Sequence, residues 1–399
     1  MNKIKVVHII TKLELGGAQG NTLYTVENLD KEKFDVYLVC GKGGILDKKA
    51  VNLSKRQNIK LYFVDTLVRE INFIKDFLAL KDLLFILDEI KPDIIHTHSS
   101  KAGILGRIAG HILRLLDKNS LKIIHTFHGF GFNEYQKLFV KWFYIILEKF
   151  VARFSNILIF VSNANMETAQ KYKIGSKEKY LLIRSGIKIS LYQRTSLDEK
   201  LKQKTRQELN VSKQNIVITT IGPFKPQKNL SDFIKLCNNI MTSDKLEEKI
   251  KQRIIFLVAG DGEQRNQLEQ LVGAFKLNTK IKFLSWYENI PGLISITDIF
   301  VMTSLWEGLP RAAVEALVSG VPVVSYNTDG LKDIIVSDIN GYTAPAKKFN
   351  LLANYIVELL NNEKKLEQLK SNARKTINET FDIDYMVKQQ EELYLTLIK

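Results

Sequence analysis

Ser304-Leu-Trp-Glu-Gly-Leu-Pro-Arg-Ala-Ala-Val-Glu-Ala-Leu-Val-Ser-Gly-Val-Pro-Val-Val-Ser325 decides how the rest of the chain is read. The stretch reads as loop, helix, turn and strand. Pro310 suits a first helical position, where a missing N–H costs nothing. Ala312 to Leu317 are strong helix formers, Ser319-Gly320 ends the helix, and Val321 to Tyr326 reads as a buried strand. Glu307 falls in the loop before the helix and Glu315 more than one turn inside it. Between them, Gly308 and Leu309 offer free backbone N–H groups at a helix start, where an anion such as phosphate is favoured. Carboxylates repel phosphate but accept hydrogen bonds from sugar hydroxyls. The stretch can therefore hold the phosphates of a nucleotide sugar on amides and its hydroxyls on two glutamates. A bare Glu-x7-Glu spacing occurs often by chance, so by itself the stretch reads first as a capped core helix carrying two solvated acids.

Outward from this stretch, the chain of 399 residues has room for two domains, with 45% hydrophobic and 25% charged residues, as in soluble globular proteins. Strands are expected at Ile4–Thr11, Phe34–Cys40, Ile59–Val64, Asp93–His98, Lys122–Phe127 and Asn156–Ser162. Helical patterns such as Ile74–Ile90 and Ala102–Leu116 lie between them. A polar run from Gln193 to Gln214 interrupts the alternation. It resumes with strands at Ile216–Ile221, Arg253–Ala259, Lys280–Leu284, Asp298–Met302 and Val321–Tyr326. Alternation of this kind predicts an α/β fold of two doubly wound parallel sheets with a cleft between them. The expected domains are 1–190 and 191–383, with an amphipathic helix over 384–399 returning to the first.

The net charge is +15, and residues 1–185 carry +11 of it. A basic half points to an anionic partner, either an anionic membrane or a phosphorylated acceptor, or else to a lysine-rich surface of no special role. No nucleic-acid-binding signature is present. Cys40 and Cys237 are far apart in apolar segments, which fits buried thiols of a cytoplasmic protein. Phe139 to Ser162 is the most apolar region, but Lys141, Glu148, Lys149 and Arg153 break it, so it does not read as a membrane span. A helix carrying Phe139, Trp142, Phe143, Ile146 and Phe150 is expected to pack these residues into a core and turn a basic face outward. The alternative is a helix lying on a membrane surface.

Five further motifs follow predicted strands. Leu13-Glu-Leu-Gly-Gly-Ala-Gln19 is a glycine turn that lets a phosphate approach, but it is not the dinucleotide pattern. His96-Thr-His98 and His125-Thr-Phe-His128 put histidines at strand ends; no carboxylate or cysteine shares their spacing, which argues against a metal site. Ile221-Gly-Pro-Phe-Lys-Pro-Gln-Lys-Asn229 places Lys225 and Lys228 at a turn suited to clamping phosphate. Val258-Ala-Gly-Asp-Gly262 is a turn that is weak evidence alone.

Taken in order, these motifs resemble the retaining family 4 glycosyltransferases of the GT-B fold over nearly the whole chain. The stretch around Glu307 and Glu315 is similar to that family's Glu-x7-Glu signature. The resemblance implies that Glu307 contacts the donor sugar, the backbone at Gly308, Leu309 and Pro310 contacts phosphate, and Glu315 contacts ribose. It also places Gly17, Lys225, Lys228, Asp261 and Gly262 around the donor, and assigns His128 to the transferred sugar. Catalytic roles fall on His128, Lys228 and Glu307. Pro223 occupies the position of a phosphate-binding Arg of the family, a role that passes to Lys225. The implied activity is metal-independent, cofactor-free transfer of a hexose from a nucleotide-diphosphate sugar, expected to be a UDP-sugar. The acceptor would be a lipid-linked glycan in bacterial surface polysaccharide synthesis, with the protein peripheral on the membrane's cytoplasmic face. A sugar-nucleotide epimerase and a non-catalytic nucleotide-sugar-binding subunit are the alternatives.

Overall fold

The computed structural model describes residues 3–57, 59–117 and 120–398. It divides into two compact units, Met1–Gly186 with Ile383–Lys399, and Ile187–Asp382. The first unit is built on seven strands: β1 (Ile4–Lys12), β2 (Phe34–Gly41), β3 (Lys60–Phe63), β4 (Ile94–His98), β5 (Lys122–Phe127), β6 (Ile157–Phe160) and β7 (Tyr180–Leu182). Their order is β3-β2-β1-β4-β5-β6-β7, and every pairing is parallel. The second unit has β8 (Ile216–Ile221), β9 (Ile254–Ala259), β10 (Ile281–Phe283), β11 (Ile299–Met302), β12 (Val323–Tyr326) and β13 (Gly341–Ala344). They run β10-β9-β8-β11-β12-β13, again all parallel. In both sheets the first strand in sequence lies centrally, and the order reverses beside it. Ligands of open α/β sheets bind outside the strands' carboxyl ends at such a point.

Central strands buried on both faces account for the continuous apolar runs. Along β1, Val6 and Ile10 enter the core beneath the helix Ile383–Ile398, while Val7 and Ile9 enter the opposite core beneath Phe73–Ile90 and Ser100–Asp117. The C-terminal helix contributes Met386, Val387 and Tyr394 to the first of these cores. Lys399, the last residue of the expected terminal helix, lies outside the described residues.

Three local expectations are corrected. Within the polar run after Leu191 the chain is helical, in Ile189–Leu197 and Glu199–Glu208; Asp198 caps the second by accepting the Leu201 N–H at 3.0 Å. Pro310 precedes its helix, which spans Arg311–Val318; a ψ of 104° keeps Pro310 extended. The helix Leu138–Ala152 is turned inside out relative to the expected packing. Lys141 and Glu148 are buried, whereas Phe139 is 71% exposed and Trp142 52%. The reason is electrostatic: Lys141 reaches Glu134 at 2.6 Å and Glu148 reaches Arg107 at 2.7 Å, so each buried charge has a partner.

Candidate functional site

In the second unit, three loops at strand carboxyl ends are tied together by bonds between residues up to 79 apart in sequence. The Thr303 hydroxyl, just past β11, donates to the carbonyls of Lys228 at 3.0 Å and Asn229 at 3.1 Å. Leu305 N–H donates to the Gln227 carbonyl at 2.9 Å, and the Gln227 amide donates to the Trp306 carbonyl at 2.8 Å. These bonds fix the loop after β8 against the loop after β11. They bring Lys228 Nζ onto Glu307 Oε1, an ion pair with both side chains largely buried. From the loop after β12, Asp329 accepts the Glu307 N–H at 2.7 Å. Asp329 takes a left-handed φ of 37°, and burial, with the Glu307 charge as a lesser cause, raises its pKa. The Gly308 and Leu309 amides enter no backbone hydrogen bond among the described residues, and they lie just before a helix start. A lysine ammonium, a buried carboxylate and two available amides therefore meet within one short segment.

Gly330 makes this approach possible. A Cβ there would lie 2.0 Å from the Gly308 carbonyl oxygen. Gly330→Ala is expected to destabilise the unit by about 1–3 kcal/mol through overpacking. A thermal melt checks it, and an unchanged Tm would mean the loop yields freely.

Glu315 is buried within Arg311–Val318. Burial raises its pKa, opposed by Arg311 at 3.6 Å and by a hydrogen bond from the Tyr192 hydroxyl. Neither glutamate turns to bulk water. The loops after β8 and β9 also pack backbone on backbone. A Cβ at Gly260 would sit 2.0 Å from the Gly222 carbonyl oxygen, and φ values of 136° and 155° at Gly260 and Gly262 favour glycine. Asp261 is engaged elsewhere: its carboxylate accepts from Arg265 and from the Gly262 N–H, each at 2.8 Å. Gly262 thus shapes the loop, and Asp261 orients Arg265, which also donates to Ser285 at 2.8 Å. Lys225 shares the Lys228 loop, where its N–H donates to the Pro223 carbonyl at 2.8 Å.

In the first unit, Gly17 starts the helix Gly17–Asn28 directly after β1 and is exposed. Sheet register assembles the histidines. His8 of β1 pairs with His96 of β4, and His98 pairs with Thr126 of β5. Since residues two apart share a face, His8, His96, His98 and Thr126 all point to the side covered by the C-terminal helix. His96 is held between the Tyr394 hydroxyl at 2.5 Å and the Thr126 hydroxyl at 2.7 Å. His8 Nδ1 lies 3.0 Å from His98 Nε2, and His98 Nδ1 lies 3.2 Å from His128 Nε2. Ring nitrogens of His8, His96 and His98 fall within 4.8 Å of one another, spacing that a metal ion also produces. Both nitrogens of His96, both of His98 and Nδ1 of His8 have hydrogen-bond partners, and His8 Nε2 has none. His125 faces the opposite side, bonded to the Thr97 hydroxyl at 2.9 Å.

Sequence reasoning did not single out Asp329, Tyr192, Thr303, Gln227 or His8. Only His8 had a local signal, a polar residue within an unbroken buried run.

Two family models match the chain: Glycosyltransferase Family 4 over residues 15–191, and Glycosyl transferases group 1 over residues 202–376. An Escherichia coli protein named UDP-Gal:alpha-D-GlcNAc-diphosphoundecaprenol alpha-1,3-galactosyltransferase is 30% identical over 398 residues, covering 100% of this chain and 98% of its own. The Staphylococcus aureus capsular polysaccharide biosynthesis glycosyltransferase CapM is 23% identical over 410 residues, covering 100% and 99%. The crystal structure of Anabaena HepE in complex with UDP-glucose superposes with a TM-score of 0.80 at 20% identity, covering 98% of this chain and 100% of that one. The chain belongs to the family 4 glycosyltransferases and has the GT-B fold. It is a glycosyltransferase of polysaccharide or glycan biosynthesis.

Proposed function

We propose that the protein is a retaining glycosyltransferase that moves a hexose from a UDP-sugar to a lipid-linked glycan acceptor. The contact between Lys228 and Glu307, beside the Gly308 and Leu309 amides, carries the reading. As the bond from the anomeric carbon to the diphosphate breaks, negative charge grows on the leaving group. Lys228, Lys225 and the two amides are preorganised donors for that charge, so the reading calls on no metal or cofactor. Glu307 and His128 orient the sugar, and Glu315 accepts from the ribose. Attack by the acceptor hydroxyl on the face the diphosphate leaves would retain the anomeric configuration. The proton lost by that hydroxyl passes to the departing diphosphate. HepE supports the donor class because it was crystallised with UDP-glucose. The E. coli relative supports the acceptor class, since its name specifies a diphosphoundecaprenol-linked sugar.

The decisive experiment screens UDP-sugars by thermal shift, then follows UDP release with a polyprenyl-diphosphate-linked sugar as acceptor. NMR of the product assigns its anomer. Acceptor-dependent UDP release with a product anomer matching the donor's supports the reading. An inverted anomer would overturn retention, and free sugar isomer without acceptor would point to an epimerase.

A lipid-linked acceptor brings the first unit to a membrane. No described helix is long and apolar enough to cross one. Leu138–Ala152 instead exposes Phe139, Trp142, Ile146 and Phe150 beside exposed Lys137, Lys149 and Arg153, and Phe73 and Phe77 of a neighbouring helix are also exposed. Aromatic residues flanked by lysines suit the interface of an anionic bilayer. The protein is expected to sediment with phosphatidylglycerol vesicles and far less with phosphatidylcholine. Phe139→Glu/Trp142→Glu is expected to cut the bound fraction at least about fivefold with Tm unchanged. Equal binding by this variant would remove the helix from the membrane reading.

A further inference from the structure

We infer that His8 and His98 are positioning residues for His128: a chain of two buried imidazoles and one half-buried one sets which nitrogen of His128 carries the proton. The inference rests on the assignment of His128 to the transferred sugar. Two nitrogen-to-nitrogen bonds make the chain, His8 Nδ1 to His98 Nε2 at 3.0 Å and His98 Nδ1 to His128 Nε2 at 3.2 Å. At its ends, His8 Nε2 and His128 Nδ1 are buried and have no partner.

The proton count follows from these contacts. A neutral imidazole has one N–H and one lone pair. Three neutral rings share three protons, and each internal bond uses one. The third proton sits at one end of the chain. If it is on His8 Nε2, every internal bond runs toward His8, and His128 presents a lone pair at Nδ1. If it is on His128 Nδ1, both bonds reverse and His128 presents a donor. Mixed arrangements set two lone pairs or two N–H groups against each other and are unfavourable. The tautomers of the three rings are therefore coupled, and His128 Nδ1, buried in this structure, becomes a donor or an acceptor without the ring gaining charge.

The surroundings keep the chain neutral. Burial depresses the pKa of His8 to about 3 and of His128 to about 4, with that of His98 also well below the ordinary value. Among the described residues, no carboxylate bonds to any of the three. Sheet pairing between β1 and β4 fixes the first two rings, and the flat fit of His8 on His98, 8° between planes, leaves little freedom at that joint. A cavity of about 10 Å³, enough for one water, is lined by His98 and His128 together with Thr22, Thr126 and Gln390. Ile159, Val161, Ile183 and Met386 also line it, so the His128 end meets a few polar atoms within a mostly apolar wall.

The test combines histidine nitrogen NMR on the ligand-free protein with kinetics. In the wild type, all three rings should give neutral-imidazole signals at pH 7. His98→Phe should shift the His128 nitrogen signals and lower kcat about tenfold, with the UDP-sugar Kd within twofold. His98→Gln can both donate and accept, and should recover at least half the rate, which separates positioning from packing. An imidazolium signal from any of the three rings, stoichiometric bound metal, or unchanged His128 signals in His98→Phe would overturn the inference. If the NMR results hold but His128→Ala transfers sugar at the wild-type rate, the catalytic assignment of His128 fails, and the positioning role fails with it.

Discussion

Lys228→Met is expected to lower sugar transfer by about two to three orders of magnitude, the usual effect of removing one preorganised donor from a developing negative charge. Lys228 also neutralises Glu307, so the variant strands a buried carboxylate. Breaking a buried pair costs about 3–5 kcal/mol, enough to lower activity through unfolding alone. A second variant separates the two effects. In Lys228→Met/Glu307→Gln no uncompensated charge is left, and most of the lost stability should return. Its transfer rate should stay at least about a hundredfold below wild type, because the diphosphate still lacks its cation and the sugar has lost the Glu307 carboxylate. The measurements are Tm for both variants and UDP release under saturating donor. Recovery of the rate along with the stability would show Lys228 to be a structural partner of Glu307, and the leaving-group role would be lost. The contact also bears on the ligand-free state. Paired with Glu307, the ammonium is satisfied before any donor arrives, and an incoming diphosphate must compete with the carboxylate for it. On the proposed reading, that competition releases Glu307 toward the sugar hydroxyls.

Much of this was legible in the sequence where the signal was local. The eleven expected strands are present; nine of them are inner strands, and a strand buried on both faces is written as a continuous apolar run. Both strands that escaped notice lie at sheet edges. Tyr180–Leu182 has three residues, and Gly341–Ala344 begins with glycine and ends with alanine, both poor strand formers. Glu307 and Lys228 were identified by motif, but nothing local joined them. Their contact depends on Thr303 and Gln227, whose bonds span 74 to 79 residues. Asp329 was hidden for the same reason, since its bond to the Glu307 amide crosses 22 residues. The exposed aromatic helix is different, because its signal was present in the spacing. Lys141, Ile145, Glu148 and Ala152 fall three or four residues apart and form the buried stripe. Aromatic residues outnumber that stripe and drew the eye to the wrong face.

Glu148→Ala is expected to cost about 3–5 kcal/mol. That corresponds to a Tm lower by roughly 6–20 °C for a unit of this size. Arg107 is 0% exposed and the Glu148 side chain 2%. Arg107 donates to Glu148 and to the Gly103 carbonyl, each at 2.7 Å, and its guanidinium lies 5.8 Å from the centre of the Phe127 ring. Without Glu148 that guanidinium is buried next to a neutral carbonyl and an aromatic face, too little to replace a carboxylate. Arg107→Met/Glu148→Leu removes both charges and should recover most of the loss, since apolar replacements of buried pairs are often neutral or stabilising. What the double variant should not recover is orientation. With the pair gone, the inward stripe of Leu138–Ala152 keeps Lys141, paired with Glu134, as its one charged anchor. Rotation of the helix to bury Phe139 and Trp142 then breaks only that pair, whose Glu134 side chain is 71% exposed. The expected result is a stable protein whose Trp142 fluorescence shifts to the blue without lipid and whose binding to anionic vesicles falls. A double variant that is stable, keeps Trp142 in water and binds vesicles as before would show that packing alone sets the helix rotation and that the ion pair has no orienting role.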